Sequence, residues 1–191
     1  PPLALQAEQE TSIRAAVAAS NAGTEQFAVE AQRDSLTSGT AAIVVTGLRP
    51  GSNLNDTSPE LPVGVDAAGL ERAAHDRAIR ILRAVLQGAD LAGVAAVGVC
   101  FTHGVRVDTT VYERGRRLPT GDRFPDTLRR SYSEDENAMV YYVQLFTESV
   151  SREQWATMAS QDFERRCLVL HNRFDELLAE RGSPPRFRPT R

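Results

Sequence analysis

Val94-Ala95-Ala96-Val97-Gly98-Val99-Cys100-Phe101-Thr102-His103-Gly104-Val105-Arg106-Val107-Asp108-Thr109-Thr110-Val111-Tyr112 is the stretch whose reading decides the fold. Up to Phe101 it is apolar at both alternating positions, the mark of a strand buried on both faces. From Val105 onward, Val105, Val107, Thr109 and Val111 alternate with Arg106, Asp108, Thr110 and Tyr112. That alternation predicts a half-buried strand with one wet face. His103-Gly104 lies between the two, where a tight hairpin would turn. Two strands joined by a hairpin point to an antiparallel sheet.

Working outward, Thr40 to Thr46 and Met139 to Phe146 also read as strands apolar on both faces, the second of them central. Residues 24 to 33 admit two readings. Phe27, Val29 and Ala31 alternate like a strand, while Ile13, Val17, Ser20, Thr24, Phe27 and Ala31 continue a helical stripe. The strand is the reading taken. Residues 5 to about 22 form an Ala-rich helix with Ile13, Ala16 and Val17 on its apolar face, stopped at Asn21-Ala22-Gly23. Asp66 is placed to cap a helix over 67 to 87. Ser151-Arg152-Glu153-Gln154 forms a capping box. Behind it, Trp155, Met158, Ala159, Phe163, Cys167, Leu170, Phe174 and Leu177 make one continuous helical stripe ending at Gly182.

The expected architecture is therefore α+β: an antiparallel sheet of four to five strands packed by three helices, in the order α-ββ-α-ββ-β-α. One domain covers 1–182, with a long Arg-rich loop at 113–137 and a basic, Pro-rich tail at 183–191. At 191 residues, 41% hydrophobic and 25% charged, the composition excludes collagen, a low-complexity chain and a disulfide-dense mini-protein. The apolar runs are too short for the about 20 residues of a membrane span.

Net charge is -3, which pulls no chain as a whole toward nucleic acid. The distribution is uneven. All 22 basic residues are arginine. A codon bias toward arginine is the plain explanation, but it leaves every cation a planar fork suited to carboxylate or phosphate. Arg114, Arg116, Arg117, Arg123, Arg129 and Arg130 cluster in one segment, and Arg186 and Arg188 lie in the tail. Phe124 and Tyr132 are interleaved with the first group. Together these arginines are the candidate partner- or anion-binding residues. A solvated loop, neutralised by Glu134-Asp135-Glu136, is the reading to beat.

Cys100 and Cys167 are the only cysteines, and three states are open to them. Two buried thiols are expected; a Cys100–Cys167 disulfide and a zinc site are the alternatives. The zinc set would be Cys100, His103, Cys167 and His171, with Cys167 and His171 sharing a helix face at i and i+4. No dinucleotide, Walker or zincin motif is present, and no cofactor is implied. The start Pro1-Pro2-Leu3 lacks a signal pattern, so a cytoplasmic or virion setting is favoured over export.

These readings converge on a non-enzymatic interaction or assembly protein whose Arg-rich loop and tail contact a protein partner or further copies of the chain. Nucleic acid is disfavoured by net charge. An exported accessory protein held by the Cys100–Cys167 bridge is the first alternative, and an enzyme built around Cys100, His103 and His171 the second.

Overall fold

The computed structural model describes residues 4–24, 26–59, 61, 66–113, 115, 119–121, 127–148, 150–179 and 187–189. It is an α+β structure. Helix α1 (Ala7–Ala19) leads into β1 (Phe27–Arg33) and β2 (Thr40–Gly47), an antiparallel pair. Helix α2 (Ala67–Gly88) follows, then β3 (Val94–Glu113) and β4 (Thr127–Phe146). Two short helices, α3 (Arg152–Thr157) and α4 (Ser160–Arg166), precede β5 (Leu168–Asn172), α5 (Phe174–Ala179) and β6 (Phe187–Pro189). The main sheet runs β1-β2-β3-β4-β5, and β6 adds to β3.

The sheet is mostly antiparallel, as expected; β4 lies inside it between β3 and β5, one place from the edge, and β3 is the central strand. Strands β2 and β3 run parallel, because α2 carries the chain back between them as a crossover. The short β6 also lies parallel to β3. Residues 24 to 33 do contain a strand, β1. The end signals of α2 hold as well: Asp66 accepts from the backbone N–H groups of Ala68 and Gly69.

Three local expectations are corrected. First, no hairpin turns at His103-Gly104; β3 runs straight through it for 20 residues. Gly104 is there for room. A Cβ at this position would lie 2.2 Å from the Thr57 carbonyl oxygen and 2.3 Å from that of Ser58. The loop after β2 therefore crosses β3 at a residue without a side chain. Second, the loop expected over 113–137 is strand at both its ends. β4 begins at Thr127 and pairs with β3 as far as Glu113, which leaves 114–126 as the connection.

Third, the long C-terminal helix is broken. Met158 and Ala159 are extended, with ψ of 132° and 144°. Arg83 of α2 donates to the Met158 carbonyl at 3.1 Å, which partners a group that helix continuation would have used. Cys167 is also extended, and Leu168-Val169-Leu170 joins the open edge of β4. At that edge Leu168 and Val169 pair with Gln144 and Val143, and His171 and Asn172 with Tyr142 and Tyr141, so ladder pairing takes the place of the helical period.

The two faces of the sheet differ. On one face Val44, Val97, Val99, Phe101, Val143 and Leu145 form a single core with Ile13 and Val17 of α1 and Ile81, Leu82 and Val85 of α2. Trp155, Phe163, Phe174 and Leu177 join the same core, so half of the expected stripe is buried despite the breaks. On the other face Ala41, Ile43, Ala96 and Cys100 cluster with Val45, Tyr142 and Phe146, all strand residues. No helix among the described residues is long and apolar enough to cross a membrane.

Candidate interaction surface

Strand pairing builds the most distinctive surface feature. The last β2 partner of β3 is Thr102, and β5 reaches β4 only between Tyr141 and Gln144. Past those points β3 and β4 pair with each other out to Glu113 and Thr127. The result is a hairpin arm of roughly ten residues per strand, or about 30 Å at 3.3 Å per residue.

Three contacts tie down the base of this arm. The loop after β2 crosses at Gly104, and Asn137 donates its amide to the Leu54 carbonyl. Arg106 and Asp135, directly opposite in the ladder, form an ion pair at 3.0 Å. The pair is solvent-exposed and contributes at most about 1 kcal/mol. Glu134, Asp135 and Glu136 are exposed, so the base is acidic on its β4 side.

The outer part of the arm carries the arginines. Arg129 and Arg130 lie on β4, with Arg130 opposite Val111. Arg188 lies on β6, opposite Thr109 of β3. Strand β6 pairs with β3 over Asp108–Thr110, so the tail and the Arg-rich segment meet on the same hairpin. In the sequence they are two separate basic segments, and no pattern there indicates that they pair. Arg114, Arg116, Arg117, Arg123 and Arg186 fall outside the described residues.

The cysteine and histidine set does not come together. Cys100 packs on the strand-only face of the sheet, while Cys167 packs against the helix-side core. Both thiols are free, which corrects the disulfide alternative. His103 alternates with Phe101 and Val105, two helix-side core residues, whereas His171 pairs with Tyr142 of the other face. The four candidate zinc ligands are thus split two and two across the sheet. Among the described residues no group of three or more His, Cys, Asp or Glu side chains could hold a metal ion.

Burial holds both thiols in their neutral form. Burial, reinforced by Glu30, pushes Cys100 up to about 12. Burial, reinforced by Glu164 and partly offset by Arg83, does the same for Cys167, also to about 12. At pH 8 the thiolate fraction of each falls about a thousandfold below that of a free cysteine. Iodoacetamide should therefore label the folded protein at neither site, and the urea-unfolded protein at both. A mass two protons lighter with no labelling after unfolding would instead show a disulfide.

A polar network that the sequence did not suggest crosses the strand-only face. The Tyr142 hydroxyl donates to Gln144, whose amide donates to Asp34 at 2.8 Å. Thr37 donates to Asp34 through both backbone and hydroxyl at 2.6 Å. Desolvation pushes the Asp34 carboxyl up, but hydrogen bonds from Thr37 and Gln144 outweigh it and leave it below the ordinary carboxylate value. Gly98 leaves space for the Tyr142 ring; a Cβ there would lie 2.5 Å from it. Gln144 and Asp34 are buried and hydrogen-bonded, so this network reads as a latch between β4 and the β1–β2 turn.

Compared with known protein families, characterised proteins and solved structures, the chain matches none.

Proposed function

We propose that this chain is a non-enzymatic interaction or assembly protein that contacts partner chains through its Arg-rich arm and C-terminal tail. The observation that carries this reading is the pairing of β6 with β3 on the same hairpin that bears Arg129 and Arg130. The arm extends beyond the last pairings of β2 with β3 and of β5 with β4. Its sequence supplies arginine forks, which suit carboxylates on a neighbouring surface. His103 lies on the face of the sheet opposite to Cys100 and His171, so the three do not form one cluster.

The test is a photo-crosslinker, p-benzoylphenylalanine, placed at position 129 in the cell that makes the protein. A control goes at position 14, an exposed site on α1. Ultraviolet light should join position 129 to another polypeptide and leave the control unjoined. Equal or absent crosslinking at the two positions would overturn the reading.

A further inference from the structure

The sheet ends in two edge strands, and the sequence treats them differently. On β1 the exposed residues are Glu30, Gln32 and Arg33, and charge on an edge opposes pairing with another chain. On β5, at the other end of the sheet, residues 167 to 172 include no Arg, Asp or Glu. Among the described residues no strand pairs beyond β5. Five large apolar side chains are exposed among those residues, and three of them, Leu168, Val169 and Leu170, are consecutive on this edge.

Val169 lies opposite Val143, on the helix side of the sheet, and Leu168 opposite Gln144, on the strand-only side. Leu170 is the extra residue at the register shift, beside His171, which pairs with Tyr142 of that same strand-only side. The edge therefore presents a row of backbone donors and acceptors, with two leucines on one face and a valine on the other. The complement of such an edge is an extended strand.

We infer that this strand is β5 of a second copy, paired antiparallel about a two-fold axis at Val169, so that two sheets join into one. The tripeptide Leu168-Val169-Leu170 reads the same in both directions, as such an axis requires. Leu168 of each copy then lies opposite Leu170 of the other, and Val169 opposite its own counterpart. Four leucines meet along the seam on one face and two valines on the other. An axis at Leu170 would set Leu168 against Asn172 and Val169 against His171, and no other register matches all three apolar residues. No like charges face one another across the paired residues. The contact is independent of the arginine arm, and it closes at two copies because it uses the β5 edge of each.

The test uses the full chain in sedimentation velocity over roughly 10 μM to 1 mM, where small interfaces associate. Salt at about 0.5 M screens contacts made through arginines, so what remains is the apolar pairing. The wild type should pass from monomer to dimer and no further. Leu168→Arg and Leu170→Glu should each weaken the dimer at least about tenfold, by burying a charge against a leucine. The double variant Leu168→Arg/Leu170→Glu should recover it, because each new cation then faces a new carboxylate across the seam. Far-UV circular dichroism confirms that each variant is folded. On oxidation Val169→Cys should form a covalent dimer, since directly opposed residues lie about 4.5–5.5 Å apart at Cα, within disulfide reach. Gln32→Cys, exposed on β1, should not. A wild type that stays monomeric throughout, a single variant that dimerises like wild type, or a double variant that does not recover would each overturn the inference. So would covalent dimerisation through position 32 as fast as through position 169.

Discussion

Arg77→Ala is expected to destabilise the protein by about 3–5 kcal/mol, the scale of breaking a buried, charge-assisted hydrogen-bond set. Arg77 is 5% exposed in the middle of α2. Its Nε donates to the Ala22 carbonyl at 3.0 Å, and its Nη1 to the carbonyls of Leu48 at 2.7 Å and Gly47 at 3.3 Å. Its guanidinium carbon lies 5.0 Å from the centre of the Phe101 ring. One side chain therefore joins the turn after α1, the end of β2 and the middle of β3. Burial, with a smaller push from Arg80, lowers its pKa, yet the group remains the cation of its site. Alanine leaves the three carbonyls without their donor and opens a void over Phe101. In thermal unfolding the loss corresponds to roughly 10 °C for a chain of this size. Arg77→Lys should recover only part of it, because a single ammonium cannot span the three acceptors and also stack on the ring. A loss below about 1 kcal/mol for Arg77→Ala would mean that water replaces the guanidinium at those carbonyls, and that the three elements hold together without it.

Arg77 also shows where sequence reading stopped. In the sequence it is one arginine among several on an exposed-looking helix, and no spacing rule marks it as buried. Its acceptors lie 29, 30 and 55 residues away, at places that only the β2–α2–β3 crossover brings together. What was legible was local. The apolar runs of β2, β3 and β4, the Asp66 cap and the Ser151 capping box are each set by neighbouring residues, and each is present. What was not legible was contingent on partners distant in sequence. Gly104 looks like a turn because turns and close approaches both select glycine, and only the crossing of Thr57 and Ser58 separates the two. The parallel β2–β3 pair has no signature in either strand, since strands apolar on both faces serve parallel and antiparallel neighbours alike. The arginines of the candidate surface were visible as a composition. Their meeting with the tail was not, because β6 spans only Phe187–Pro189 and pairs across about 80 residues of chain.

Phe163→Ala and Leu170→Ala together test the broken course of the C-terminal segment. A continuous helix from Ser151 would put both residues on one apolar stripe and make both truncations costly. The observed path separates them. Phe163 is fully buried, with Trp155 edge-on at 5.7 Å and Arg83 at 4.7 Å over its ring. Leu170, on the edge strand β5, is 41% exposed. Removing the Phe163 ring leaves a cavity beside Trp155 and Arg83 in the core, and the cost should be about 3–5 kcal/mol. Truncating Leu170 removes a side chain that is already largely hydrated, and the cost should stay below about 1 kcal/mol. Urea unfolding of the two variants beside the parent gives both values on one scale, with an unchanged slope showing that the comparison is of stability alone. Equal, large losses would mean that Leu170 packs in the core and that the helix continues through Cys167. A large loss at Phe163 alone is the result that the break at Met158 and the edge pairing of Leu168-Val169-Leu170 require. The same pairing presents Leu168, Val169 and Leu170 at 38%, 47% and 41% exposure on an edge without lysine, proline or acidic side chains to blunt it. A mild effect of Leu170→Ala on stability would therefore free that position for charge substitution, so that the exposed edge can be probed apart from the arm.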